Sequence, residues 1–149
     1  MKKKIFLLKI LILYTLLSSV CFGAITNYFN EGKKLYDNNK FEQSKIFFER
    51  DITFNPKSEK SYLYLAKIYK NKDNHEEEEV NLNNVLLINP QNEEAVYMLI
   101  LIRIEQSDYK GAKKLIERFN LVCNSFCSKK TEIQDKFDKL IPQDAKNKN

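Results

Sequence analysis

The feature that most limits what this chain can become is a recurrence at a fixed interval. ITFNPKSE at 52–59 returns as LLINPQNE at 86–93, which places Pro56 and Pro90 34 residues apart. Stepping by that interval aligns Tyr28, Tyr62 and Val96, then Gly32, Ala66 and Ile100, then Leu35, Tyr69 and Arg103. It also aligns Phe41, His75 and Tyr109, then Ser44, Glu78 and Ala112, then Phe48, Leu82 and Ile116. Most of these columns keep either large apolar or small residues. A fixed period of about 20–50 residues marks a repeat architecture, in which each unit buries its apolar face only by stacking on its neighbours.

Each unit reads as two antiparallel helices. Within YLYLAKIY (62–69), Tyr62, Leu65 and Tyr69 recur at helical spacing and share one face. Gly32 and Ala66 carry little or no side chain, which lets the partner helix come close, and Ser44 and Ala112 play the matching part on the second helix. The clusters DNNK, NKDN and EQSD separate the helices as turns. Asn-Pro ends the second helix, because proline disfavours helical geometry in the residue before it. Ser58 and Asn92 are the expected N-caps of the helices that follow. Three substitutions, Glu78 and Ile100 in small-residue columns and Arg103 in an aromatic one, predict looser or differently angled packing in the third unit.

The segments YFNEGKKLYDNNKFEQSKIFFERDITFNP (28–56), YLYLAKIYKNKDNHEEEEVNLNNVLLINP (62–90) and VYMLILIRIEQSDYKGAKKLIERF (96–119) resemble tetratricopeptide repeats. The resemblance covers about 24–124 and implies an all-α, right-handed solenoid of about three hairpins, at about 25–58, 59–92 and 93–126. It implies a concave wall, formed by the first helix of each hairpin, that holds a protein or peptide partner. Carried over column by column, that wall comprises Phe29, Asn30, Lys33 and Tyr36, then Lys60, Leu63, Tyr64, Lys67 and Asn71, then Glu94, Tyr97, Met98, Leu101 and Glu105. Family members that grip a terminal carboxylate use an asparagine where this chain has Lys33, and basic residues where it has Glu94 and Met98. The resemblance therefore does not extend to that ligand, and it implies no cofactor.

A third Asn-Pro should fall at 120–127, but the chain there reads NLVCNSFC. SKKTEIQDKFDKL (128–140) follows, with Ser128 as the expected cap and Ile133, Phe137, Leu140 and Ile141 as one apolar stripe. It predicts a polar-faced capping helix over 128–141, stopped by Pro142, with 142–149 a disordered tail; such a lid keeps a solenoid soluble. The last linker is two residues longer than the others. A Cys123–Cys127 disulfide across it would contribute about 2 kcal/mol by the chain-entropy argument, against about 0.4–1 kcal/mol for a proline. A redox-active pair and free thiols remain as alternatives, although the spacing is not Cys-x-x-Cys. No metal site is expected, since a zinc site takes four ligands and the only histidine, His75, lies far off in the repeat order.

Lys2, Lys3 and Lys4, the apolar run Ile5–Val20 and the small residues of Cys21-Phe22-Gly23 form a secretory leader, with cleavage expected after Gly23. That places the protein in the periplasm or outside a bacterial cell. The segment could instead stay as a membrane anchor, or Cys21 could carry lipid. The chain's net charge is +5, but four of those charges sit in the leader and +1 remains without it. Nucleic acid is excluded as a partner on that ground. His75 reads as a partly buried spacer at a turn, and Glu76 to Glu79 as a solvated face with Glu78 paired to a lysine. One histidine and three glycines assemble neither a Ser-His-Asp set nor a phosphate loop, so the chain is not expected to be an enzyme. The expectation is an exported, non-catalytic adaptor in envelope assembly or secretion. A thiol–disulfide accessory and an anchored envelope subunit are the alternatives.

Overall fold

The computed structural model describes residues 27–140. The expected leader with its cut after Gly23, Cys21, and residues 141–149 with Ile141 and Pro142 lie outside the described residues. Among the described residues there are seven α-helices and no strand: α1 (Tyr28–Asp37), α2 (Phe41–Phe54), α3 (Glu59–Lys70), α4 (His75–Ile88), α5 (Glu93–Glu105), α6 (Tyr109–Val122) and α7 (Lys130–Leu140). The pairs α1–α2, α3–α4 and α5–α6 are hairpins stacked in chain order, and α7 packs on α5 and α6.

The period is written into the backbone of the three hairpin turns. Asn39, Asp73 and Ser107, spaced by 34, hold φ of 58°, 54° and 57°. Asn and Asp tolerate this left-handed region because a short polar side chain can bond locally. Each closes a Schellman-type helix end. The N–H groups of Lys40, Asn74 and Asp108 donate to the carbonyls of Leu35, Tyr69 and Arg103 at 2.9, 3.0 and 2.8 Å. Asn74 and Asp108 then cap the next helix, accepting from the N–H groups of Glu77 at 3.2 Å and Gly111 at 2.9 Å. Lys40 holds the same place in the first turn and has no acceptor, so α2 starts without a side-chain cap.

Between hairpins, α2 and α4 stop one residue before the Asn of each Asn-Pro pair. Asn92 caps α5 as expected, accepting from the Ala95 N–H at 2.8 Å. Ser58 occupies the cap position of α3 but does not cap it. Its hydroxyl donates to buried Asp51 at 2.5 Å, as does that of Ser61. A buried carboxylate is costly without donors, and these two hydroxyls supply them.

Close packing falls where the small-residue columns place it. A β-carbon on Gly32 would lie 2.8 Å from Cε1 of Phe48. Buried Ser44 donates to the Gly32 carbonyl at 2.8 Å. In the third hairpin Ile100 is fully buried in one cluster with Ala112, Phe119 and Ile133. The small residue Ala112 on α6 lies beside it in that cluster.

Three further expectations are corrected. Glu78 is not on a solvated face: it is 1% exposed, and its partner is His75, whose Nδ1 lies 3.4 Å from Oε2. The column that holds Ser44 and Ala112 faces the partner helix, and Glu78 inherits that position. His75 is exposed rather than a partly buried spacer, because Asn74 takes the cap and leaves it in the first solvent-facing turn of α4. Ser128 does not cap the last helix. It lies inside a 3-10 turn, Cys127–Lys129, closed by the Lys129 N–H on the Phe126 carbonyl at 2.8 Å, and α7 begins at Lys130.

Candidate functional site

The expected wall is built on α1, α3 and α5, and its first half comes together around Tyr64. That ring meets Phe29 and Tyr36 of α1 edge-on, with centroids 5.8 and 4.9 Å away, and stacks on Phe48 at 5.1 Å. Such geometries suit the ring quadrupoles, so this contact joins the first repeat to the second. Ammonium groups sit above the aromatic floor. Lys67 Nζ is 5.0 Å from the Tyr64 centroid and pairs with Glu94 of α5 at 2.9 Å. Lys60 Nζ is 5.8 Å from the Phe29 centroid. Lys33 pairs with Asp37 at 2.6 Å. Asn30, Lys60 and Asn71 are exposed, while burial pushes the Tyr36 phenol up from its ordinary value.

The second half is different. Met98 and Leu101 are 4% and 8% exposed, so they are core and not wall. Met98 packs in one cluster with Ala66, Leu82 and Val85, and half-buried Leu63 and Tyr97 lean on it. The reason is the position of α5, which is covered by the second hairpin on one side and by α6 and α7 on the other. Tyr97 is turned to the lid. Its hydroxyl donates to Glu132 of α7 at 3.0 Å, its ring lies 6.1 Å from that of Phe126, and Lys129 Nζ sits 5.7 Å above it. Hydrogen bonds from Lys129, then Tyr97 and Lys136, hold the Glu132 carboxyl down at about 2. Exposed Glu105 lies 3.8 Å from His75 Nε2.

Two glutamates that sequence reasoning passed over organise the linkers. Glu59 Oε1 accepts from the side-chain amides of Asn89 at 3.0 Å and Asn92 at 2.5 Å. Glu93 accepts from the backbone N–H groups of Asn124 at 2.5 Å and of Ser125 and Phe126 at 3.1 Å, and from the Ser125 hydroxyl. These bonds, that of the Asn124 N–H first, pull its carboxyl down to about 2. The signal was present: Glu59 and Glu93 are one period apart, each directly after a cap position. Around the same loop the sulfurs of Cys123 and Cys127 lie within bonding distance, with Cα atoms 5.1 Å apart.

Arg103, where an aromatic was expected, forms a two-nitrogen pair with Glu79 and ties α5 back to α4. Among the described residues no group of three or more His, Cys, Asp or Glu side chains is arranged to hold a metal, and no helix is long and apolar enough to cross a membrane.

No protein-family profile matches the chain, and no curated protein matches it. Solved structures do resemble it. The first TPR domain of Spaghetti (RPAP3), bound to the HSP90 peptide SRMEEVD, superposes with a TM-score of 0.68 at 16% identity, over 77% of this chain and 91% of that one. The Yersinia enterocolitica type III secretion chaperone SycD, in complex with a peptide of the translocator YopD, gives 0.69 at 9% identity, over 83% and 96%. The Sgt2 TPR domain from Aspergillus fumigatus gives 0.64 at 16% identity, over 82% of each chain. The fold is that of a tetratricopeptide α-solenoid: three helix hairpins and a terminal lid.

Proposed function

We propose that the chain is a non-catalytic adaptor that holds a segment of another protein against α1 and α3. The observation that carries this is the aromatic floor of Phe29, Tyr36 and Tyr64 with Lys60, Lys67 and Asn71 above it. Apolar side chains of the segment would lie on the ring edges. Its carbonyls would accept from exposed Lys60 and from the side chain of Asn71, which also bonds the Tyr36 phenol. Aromatic anchors beside polar donors are the usual source of binding energy in such contacts. The Spaghetti and SycD structures hold peptides on the same fold, which supports the reading. The pairing of Lys67 with Glu94 argues against a free carboxylate terminus as the ligand, because an anion there would face Glu94.

The leader expected from the sequence supports a setting in the periplasm or outside the cell, where Cys123 and Cys127 would be oxidised. Envelope assembly and secretion are the settings that fit. A mature protein starting at Ala24, seen by intact mass, would support export by cleavage; a retained leader or an acylated Cys21 would place the adaptor on the membrane instead.

Because Tyr64 is part of the inter-repeat packing, substituting it would confuse binding with folding. The informative variant is Lys60→Glu with Lys67→Glu. A photo-crosslinker at position 71 in native cells should trap a partner with the wild type and lose it with the variant, at unchanged circular dichroism. Equal trapping by a folded variant would overturn the groove.

A further inference from the structure

The first hairpin has a second surface, on the edge turned away from the second repeat. An open pocket of about 550 Å3 lies between α1 and α2, with Leu35, Ile46 and Phe47 among its lining. Lys34, Lys40 and Arg50 stand around it, with Glu31 as the single acid. Among the described residues these three cations form no ion pair, and Arg50 lies 5.8 Å above the Phe47 ring.

The repeat columns say what this edge is not for. One period on from Lys34 and Glu31 stand Ile68 and Leu65, and two periods on stand Ile102 and Leu99. All four are at most 3% exposed. They pack on the preceding hairpin, Ile68 and Leu65 with Phe48, and Ile102 and Leu99 with Leu82 and Val85. A further hairpin, or a second copy stacked end-on, would bury Lys34 and Glu31 in those positions, and burying charge without a partner is strongly unfavourable. Nor does the chain's own N-terminal segment fit: residues 1–26 contain four lysines and no acid. The occupant must bring apolar side chains for the pocket and negative charge for its rim.

We propose that this edge is a second docking surface, for an acidic amphipathic segment of a partner protein. An apolar side chain enters between Leu35, Ile46 and Phe47, and carboxylates beside it meet Lys34, Lys40 and Arg50. The surface is separate from the α1–α3 wall, so it stands or falls independently of the groove.

The probe is a short labelled helix-forming peptide with leucines at i, i+3 and i+7 flanked by glutamates, compared with its lysine-for-glutamate counterpart. The glutamate peptide should bind the wild type in a salt-sensitive way and the lysine peptide should not. The triple variant Lys34→Glu, Lys40→Glu, Arg50→Glu should weaken the glutamate peptide at least about tenfold and gain affinity for the lysine peptide. Lys60→Glu with Lys67→Glu should leave this binding unchanged. Thermal melts confirm that both variants fold. The proposal is overturned if neither peptide binds, if both bind alike, or if the triple reversal changes nothing. It also fails if vesicles with anionic phospholipid bind the edge as tightly as the peptide, because the surface would then be a lipid site.

Discussion

The second and third repeats close their linkers with the same carboxylate and opposite kinds of donor. Glu59, at the head of α3, gathers the side-chain amides of Asn89 and Asn92. Glu93, at the head of α5, gathers three backbone N–H groups of 124–126. Where the chain goes on to another repeat, Asn-Pro stops the helix and the asparagines reach out to the clamp. Where it goes on to the lid, the loop is longer and curls until its own amides converge on the acid. Cys123, one period on from Asn89, and Cys127 sit at the two ends of that curl. An amide nest must be held in shape by something, whereas an asparagine side chain needs only its rotamer.

The largest test of that contrast is to cut the curl. Cys123→Ser with Cys127→Ser should cost about 2 kcal/mol, lowering Tm by roughly 5–10 °C. Wild type melted in reductant should match the variant. If neither moves, Glu93 holds the loop alone. Next in size is Glu93→Gln, which leaves one acceptor oxygen for donors that now use two. It should destabilise more than Glu59→Gln, where both donors converge on Oε1. The effect of Glu93→Gln should also change by more than about 0.5 kcal/mol once the cysteines are removed, since clamp and tether share one loop. Hydrogen exchange at the amides of 124–126 should quicken with Glu93→Gln and stay unchanged with Glu59→Gln.

Much of the fold was legible because it is local. Asn-Pro, the turn clusters and the Gly32 and Ala66 column each act within one period, so a single sequence displays their repetition. Glu59 and Glu93 were equally periodic and still passed over, because an acid just after a cap already has an explanation in the positive end of the helix dipole. Their partners lie about one period further on and become visible only when the hairpins stack. Met98 and Leu101 show a different limit. Their columns hold Asn30 and Tyr64, and Lys33 and Lys67, in the earlier repeats, where Asn30 is exposed and the others are half-buried, but α5 is also covered by α7, which has no counterpart there. Of the candidate wall, column positions put Phe29, Tyr36 and Tyr64 on the first helices of adjacent repeats, whereas their ring contacts became visible only on stacking and the turning of Tyr97 toward Glu132 depended on a lid whose docking no repeat could display.

Acid separates the clamp from ordinary surface carboxylates. The Glu93 carboxyl falls from the usual 4.5 to about 2 on folding. A depressed value stabilises the fold fully above the unfolded value and loses that contribution as pH falls through the folded one. The cost of Glu93→Gln should therefore be constant from neutral pH down to about 5 and shrink between about 4.5 and 2. Urea melts at a series of pH values would show it. A cost that does not vary over that range would mean that the charge plays no part in the clamp.

Glu78 should respond with the opposite sign and the smallest amplitude. Burial pushes its carboxyl up, with the His75 hydrogen bond pulling back. A raised acid makes the folded state bind the extra proton, so its ionised form weakens the fold above the folded value and the penalty lifts as pH falls. Glu78→Gln keeps an acceptor for His75 and removes the buried charge. It should stabilise the protein at neutral pH by about 1 kcal/mol or less, with the gain vanishing in acid. Ser44 and Ala112, its counterparts one period either side, carry no charge into that contact. A loss of stability at neutral pH would show that the ionised Glu78 carboxylate, and not only the shape of the side chain, is needed in its contact with His75.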